Sequence, residues 1–243
     1  MSDENVIDVA GLSFAHPQGP LVLQDVSFSI HGGECVGLIG PNGAGKTSLF
    51  LCLAGVYQRR GGNLRVAGLD PMNREQRKQL PAHVGIVFQD SDDQLFNVTV
   101  LDDVAFGPLN LNLPAEEVRT RVAEALERVG LAGFEGRTPF HLSGGEKRRV
   151  ALAGVLAMRP RILLLDEPSL HLDPRGRRGL IRLIQSLDGT RIIATHDLEM
   201  VLETCSRCLL LDAGRLIAES PPQTARLHLA GRPDSTDFTL PGP

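Results

Sequence analysis

No stretch of this chain is apolar for long enough to cross a bilayer. Its longest apolar run, residues 150–158, falls far short of the roughly 18–20 residues that a membrane helix needs. The opening Met1-Ser2-Asp3-Glu4-Asn5 is acidic and polar, without the basic-then-apolar order of a secretion signal. Any work at a membrane is therefore expected to pass through a partner. Positive charge is not in excess either: 25 Lys and Arg stand against 29 Asp and Glu, a net charge of −4. That balance leaves no electrostatic footprint for nucleic acid, and none is expected as a partner. Cysteine is sparse. Cys35, Cys52, Cys205 and Cys208 contain one C-x-x-C, at 205–208, but no second pair completes a metal-ligand set. Val201, Leu202, Leu209 and Leu210 surround it, so the pair is expected to be structural, with reduced, buried thiols that suit the cytosol. There is no internal repeat and no sign of a second domain.

What remains is ordinary globular material: 243 residues, 42% hydrophobic and 22% charged, enough for one large domain. Short apolar stretches at 6–9, 21–23 and 26–30 are separated by Gly and Pro and read as antiparallel strands, joined by 63–68. Residues 35–39 form a strand that stops at Gly40, and a helix from near Gly45 carries Leu49, Phe50 and Leu53 inward. Residues 84–88 are another buried strand. From Asp90 to about Met158 the pattern turns helical. Pro114 opens a helix with Val118, Val122, Ala125, Leu126 and Val129 at helical spacing, stopped by Gly130. A second helix covers 148–158. The continuous apolar runs at 161–165 and 191–195 suit parallel strands buried on both faces, with a crossover helix carrying Leu180, Ile181, Leu183, Ile184 and Leu187. A hairpin closes the order at 208–212 and 215–218. The tail, at 232–243 above all, is expected to be disordered. The expected fold is α/β with an N-terminal antiparallel part and an inserted helical part.

Three motifs carry chemistry. Gly40-Pro41-Asn42-Gly43-Ala44-Gly45-Lys46-Thr47 matches G-x-x-x-x-G-K-[ST], after a strand and before a helix. Its glycines let backbone N–H groups curl around a β-phosphate, and the helix N-terminus adds positive potential. Lys46 reaches the β- and γ-phosphates, Thr47 offers a hydroxyl to Mg²⁺, and Ser48 continues the helix start. The second motif, Asp166-Glu167, ends a buried strand 120 residues (166 − 46) after that lysine. Asp166 is expected to hold Mg²⁺ through its water shell, and Glu167 to polarise the attacking water. The third, Leu142-Ser143-Gly144-Gly145-Glu146, precedes a helix for which Ser143 is a good N-cap. It makes a second anion site, and one γ-phosphate does not need two helix N-termini from one chain. The second is therefore expected to serve a nucleotide held by another copy. Gln89 and His196 each sit just past a predicted parallel strand, where ligands bind in open α/β sheets. Gln89 could reach Mg²⁺ or the water, and His196 the γ-phosphate.

In this order and spacing the motifs resemble the nucleotide-binding subunit of ABC transporters over residues 6–220. The match includes the D-loop Ser169-Leu170-His171-Leu172-Asp173. The resemblance implies a P-loop NTPase fold of ABC type: a mixed sheet, an N-terminal antiparallel β-subdomain and a helical subdomain at about 90–160. The ATPase domain then spans 1–220, with a tail at 221–243. It implies a catalytic set of Glu167, His196, Gln89 and Lys46. Nucleotide falls to His16, Asn42, Gly43, Ala44, Gly45, Lys46, Thr47 and Ser48, with Ser143, Gly144 and Gly145 from the second copy. Metal falls to Thr47, Gln89 and Asp166, and the cofactors are ATP and Mg²⁺. The runs Val87-Phe88-Gln89-Asp90-Ser91-Asp92-Asp93-Gln94-Leu95-Phe96 and Asp102-Asp103-Val104-Ala105-Phe106-Gly107-Pro108 narrow the likeness to ATPases of energy-coupling-factor importers, above all the cobalt/nickel type called CbiO. That implies a homodimer, or a pair with a paralogous ATPase, at the cytoplasmic face of the cell membrane. Integral coupling and substrate-binding subunits would lie above it, with Asp92, Asp93, Gln94 and Phe96 at the contact. Two positions depart from the pattern. His16, in Phe14-Ala15-His16-Pro17, stands where an aromatic ring usually stacks on adenine, and His171 stands where a small residue is common. The competing readings are a soluble non-transport ABC ATPase and a nucleotide-sensing module. No tandem unit, coiled coil or basic patch favours the first, and the presence of Glu167 and His196 counts against the second.

Overall fold

The computed structural model describes residues 4–224, so the segment expected to be disordered, 232–243, lies outside the described residues. Strands β1 (Asn5–Ala15), β2 (Leu21–His31) and β4 (Gly61–Val66) form an antiparallel sheet in the order β2-β1-β4. The second sheet has six strands: β5 (Val84–Val87), β6 (Ile162–Asp166), β7 (Thr190–Thr195), β3 (Cys35–Ile39), β8 (Arg207–Asp212) and β9 (Arg215–Ser220), in that spatial order. Its neighbours run parallel except β9, which returns antiparallel to β8. The helices are α1 (Lys46–Leu53), α2 (Arg74–Arg77), α3 (Val100–Asn110), α4 (Ala115–Arg128), α5 (Gly144–Ala157), α6 (Pro174–Ser186) and α7 (Leu198–Thr204). None of them is long and apolar enough to cross a membrane.

The apolar run of β6 is explained by what covers each side. Ile162 and Leu164 enter the core shared with β1, β2 and α1, alongside Ile7, Phe28 and Phe50. Leu163 and Leu165 enter the opposite core with Val104, Leu126, Val150 and Ile184 of the helical layer. A strand covered on both sides needs apolar side chains at every position. Each such leucine contributes about 1.5–3 kcal/mol on burial.

Helix α4 follows Pro114 at its N-cap and buries Val118, Val122, Ala125 and Leu126, as its spacing requires. Helix α5 begins earlier than the 148 expected from sequence. Ser143 caps it, so Gly144 and Gly145 lie in its first turn. Helix α3 does not stand out as a separate element in the sequence pattern. It crosses close to the end of α5: a Cβ on Gly107 would come 2.5 Å from Met158 Cγ, so any larger residue there would force the Met158 side chain to move.

Candidate active site

The loops that matter leave the C-terminal ends of four adjacent parallel strands. Gln89 follows β5, Asp166 ends β6 with Glu167 next, His196 follows β7, and the loop 40–45 follows β3. This is the edge at which open α/β sheets bind ligands.

Gly45 is the N-cap of α1 with φ +102°, a left-handed backbone that glycine alone adopts readily. It supplies no side chain, so no side-chain acceptor caps the first turn of α1. Those N–H groups, with the helix dipole behind them, suit an anion. Asn42 and Gly43 are exposed on the loop, Ala44 is buried, and Ser48 is half-buried. Lys46 is buried; its Nζ donates to the Gly40 carbonyl at 2.7 Å and the Pro41 carbonyl at 3.3 Å. Thr47 Oγ1 donates to Asp166 Oδ2 at 2.6 Å, joining the loop to β6.

The two carboxylates are 2% and 5% exposed. Burial raises the Asp166 pKa. The Thr47 hydrogen bond opposes that shift, and the charge of Glu167 adds to it. Glu167 takes a left-handed backbone, φ +45°, at the strand end. Its Oε2 accepts from Thr195 Oγ1 at 3.1 Å and from the His196 N–H at 3.4 Å, and lies 2.9 Å from His196 Nδ1. Its Oε1 is buried and accepts no hydrogen bond, with Lys46 Nζ 3.5 Å away. One oxygen is thus clamped, and the other faces the Lys46 ammonium without a hydrogen bond.

Other predicted residues lie apart. Ser143 and Glu146 form a reciprocal capping box: Ser143 N–H and Oγ donate to Glu146 Oε2 at 2.8 and 2.7 Å, and Glu146 N–H donates back to Ser143 Oγ at 3.3 Å. The bonds that Ser143 donates hold the Glu146 carboxyl below its usual range. Among the described residues no hydrogen bond or ion pair links Ser143, Gly144 or Gly145 to the loop 40–47. Ser143 and Gly145 instead line a cleft of about 940 Å³ with His171, Leu172 and Arg149. His16 is exposed, edge-on to Phe14 and Tyr57, whose rings stack at 4.8 Å. His171 has φ +62°, a left-handed backbone that glycine adopts most readily.

A family model described as ABC transporter matches residues 23–170. The chain belongs to the ABC transporter family. It is an ATP-binding ATPase of that family. It is 46% identical to the energy-coupling factor transporter ATP-binding protein EcfA of Methanothermobacter thermautotrophicus, over 89% of this chain and 71% of that protein. It superposes on CbiO1 from Clostridium perfringens, part of the ABC transporter complex CbiONQ, with TM-score 0.83 and 35% identity, covering 93% and 92% of the two chains. A dimeric ATP-binding cassette in a post-hydrolysis state, bound to ADP and Pi, matches with TM-score 0.80 and 26% identity over 89% of this chain and 98% of that one.

Around the site, this ABC ATPase uses residues that the motifs do not mark. Arg148, buried in α5, donates to the Phe88 carbonyl at 3.0 Å and the Gln89 carbonyl at 2.6 Å. Asp197 accepts from Arg177 Nε and Nη2, at 2.6 and 2.7 Å, and from the Ser169 hydroxyl at 3.2 Å. It thereby ties the D-loop to the residue after His196. Burial alone would raise the Asp197 pKa; the bonds from Arg177 and the Met200 N–H outweigh it and leave the pKa lowered. An Asp just before a helix is a legible N-cap signal, and Asp197 caps α7; its long-range partner carries no such signal. Of the four contact candidates, Gln94 braces its own chain. Its amide oxygen accepts from Phe88 N–H at 2.8 Å and its amide nitrogen donates to the Ile86 carbonyl at 3.1 Å. Asp92 pairs with Lys147 at 2.7 Å, while Asp93 and Phe96 are exposed.

Proposed function

We propose that this chain powers a membrane importer of the energy-coupling-factor type, with cobalt or nickel ions as cargo. Two copies close head to tail over two ATP molecules. The observation that carries the catalytic part is Glu167, with one oxygen held by Thr195 and His196 and the other buried without a hydrogen bond. In this reading Oε1 accepts the proton of the attacking water, and His196, exposed beside it, contacts the γ-phosphate. Lys46 exchanges the Gly40 and Pro41 carbonyls for β- and γ-phosphate oxygens. Loop residues Asn42, Gly43, Ala44, Gly45 and Ser48 supply backbone and hydroxyl donors, and His16 lies against the base.

The residues present fit Mg²⁺. Thr47 and Asp166 bring two oxygens together, the donor type that a hard cation takes, and a carboxylate whose pKa is raised by burial gains from a nearby cation. Thr47, Asp166 and Gln89 would hold the ion, which neutralises phosphate charge when bound. Ser143, Gly144 and Gly145 serve the nucleotide of the other copy, since among the described residues no hydrogen bond or ion pair links them to the phosphate loop. Closure then depends on the γ-phosphate, and hydrolysis removes the reason to stay closed.

The domain boundaries proposed are 1–220 for the ATPase, with the helical part at about 90–160, and 221–243 for the tail. The ATPase works at the cytoplasmic face of the membrane. Phe96, Val98, Phe106 and Leu109 are exposed on the helical part, with the Phe96 and Phe106 rings 4.9 Å apart. They suit contact with an integral coupling subunit. The relatives named EcfA and CbiO1 support this assignment. Glu167→Gln is the test. It is expected to keep ATP binding, lose most turnover and accumulate a closed dimer on size-exclusion chromatography; near-normal ATPase activity would defeat the assignment. Uptake assays with cobalt and nickel, in vesicles holding the membrane partners, test the cargo.

A further inference from the structure

Sequence spacing directs attention for cysteine chemistry to the C-x-x-C of 205–208. Among the described residues no hydrogen bond joins that pair. Cys208 is buried in a small core with Ile39, Val201 and Leu210, against which Cys205 also packs. The Cys205 sulfur meets that of Cys35, 170 residues earlier, 3.9 Å away. The backbone enforces this neighbourhood: Ser206 N–H donates to the Cys35 carbonyl at 2.8 Å, so the end of α7 is laced to the start of β3.

A third group faces the pair. Cys35 lies directly opposite Arg191 in the parallel β3–β7 register. Arg191 donates through one terminal nitrogen to the Ile184 and Leu187 carbonyls, while its Nε is buried with no hydrogen-bond partner. An unpaired buried guanidinium N–H is costly, and a thiolate beside it would satisfy it. The charges follow this geometry. The hydrogen bond with Cys205 holds the Cys35 thiol below its ordinary range; burial opposes this, and the charge of Arg191 assists. Cys205 is pushed up by the same bond and by burial. Cys52 and Cys208, without such partners, are pushed up to about 12 by burial.

We propose that Cys35 and Cys205 form a peroxide-responsive dithiol that closes into a disulfide between β3 and α7. The Cys35 thiolate attacks the O–O bond of hydrogen peroxide, giving a sulfenic acid and, after one proton is taken up, water. The sulfur of partly buried Cys205 then attacks the sulfenic sulfur. The S–O bond breaks, hydroxide leaves, and the Cys205 proton completes a second water. Overall the two sulfurs lose two electrons and the peroxide gains them. The link pins the end of the helix that follows His196 to the start of the strand that feeds the phosphate loop.

The test treats the full chain with hydrogen peroxide, denatures and alkylates it, and maps the peptides by mass spectrometry. A Cys35–Cys205 link with loss of two hydrogens is expected, reversed by dithiothreitol, with Cys52 and Cys208 alkylated. Arg191→Met is expected to slow the link about tenfold. Because that variant also loses two carbonyl contacts, Cys205→Ser gives an independent reading: peroxide should leave a dimedone-reactive sulfenic acid on Cys35. A link between Cys205 and Cys208, or four free thiols after peroxide together with no dimedone adduct in Cys205→Ser, would overturn the proposal.

Discussion

Replacing Arg148 with methionine is expected to separate ATP binding from turnover. Methionine fills much of the same space, so the change removes hydrogen bonds while leaving little cavity. The two bonds, to the Phe88 and Gln89 carbonyls at 3.0 and 2.6 Å, come from a guanidinium that is 6% exposed. Hydrogen bonds to a charged group contribute about 1.5–3 kcal/mol each. Gln89 is exposed and its carbonyl regains water, whereas the half-buried Phe88 carbonyl regains less. Desolvation of the guanidinium, which lowers its pKa, is also relieved. The net loss is about 2–3 kcal/mol, or roughly 4–6 °C in Tm for a chain of this size. Affinity for ATP should stay within about threefold, because Lys46 and its loop hang from β3 and α1, far from this contact in the sheet order. Turnover should fall about tenfold, because Gln89 is no longer held over β5. Arg148→Lys should recover less than half of the stability, since a compact ammonium replaces the planar fork whose two separate nitrogens meet the Phe88 and Gln89 carbonyls. Differential scanning fluorimetry and a phosphate-release assay read both effects. An unchanged Tm together with unchanged kcat would refute the claim that this side chain ties α5 to the segment after β5.

Asp166→Asn should trade activity for stability. Its pKa is raised in the fold, so the ionised form is disfavoured and stability falls as pH climbs from about 3.9 through the raised value. Removing that charge should stabilise the nucleotide-free protein by about 1 kcal/mol at pH 7 and abolish Mg²⁺-dependent hydrolysis; a lower Tm would contradict it. Asp197 behaves oppositely. Its lowered pKa contributes stability that is complete above about 3.9 and is lost as pH falls through the folded value. The Tm difference between the parent and Asp197→Asn should therefore shrink on acidification from pH 6 to pH 3, and a gap that widened would reverse the sign argued here.

The parallel strands and their loops are readable because burial on both sides leaves no polar residue in 162–165, and because the phosphate loop needs glycine where the backbone turns left-handed. Helix α3 is harder. Gly107 and Pro108 sit inside it, and Phe106 and Leu109 face outward, so its apolar spacing is blurred. Its start is nonetheless signalled: Thr99 caps it, accepting from Asp102 N–H at 3.2 Å. Arg148 looks like one more charge in Lys147-Arg148-Arg149, and only the packing of α5 under the 88–89 segment distinguishes it. The pairing of Cys35 with Cys205 is invisible in the sequence for the same reason. Spacing along the chain favours 205 with 208, whereas the fold places residue 206 beside residue 35, its N–H on the Cys35 carbonyl.

Glu167, His196 and the phosphate loop ride on β6, β7 and β3, three strands hydrogen-bonded side by side. Neighbouring strands keep a separation of about 4.8 Å that side-chain motion does not change. The sheet therefore acts as a fixed ruler for the groups proposed to face the triphosphate, and none of the three strands can drift from the others without breaking a ladder. Movement on emptying the site must then be sought at the flank, where β5 ends and the Arg148 fork hands any shift of Gln89 on to the helical layer.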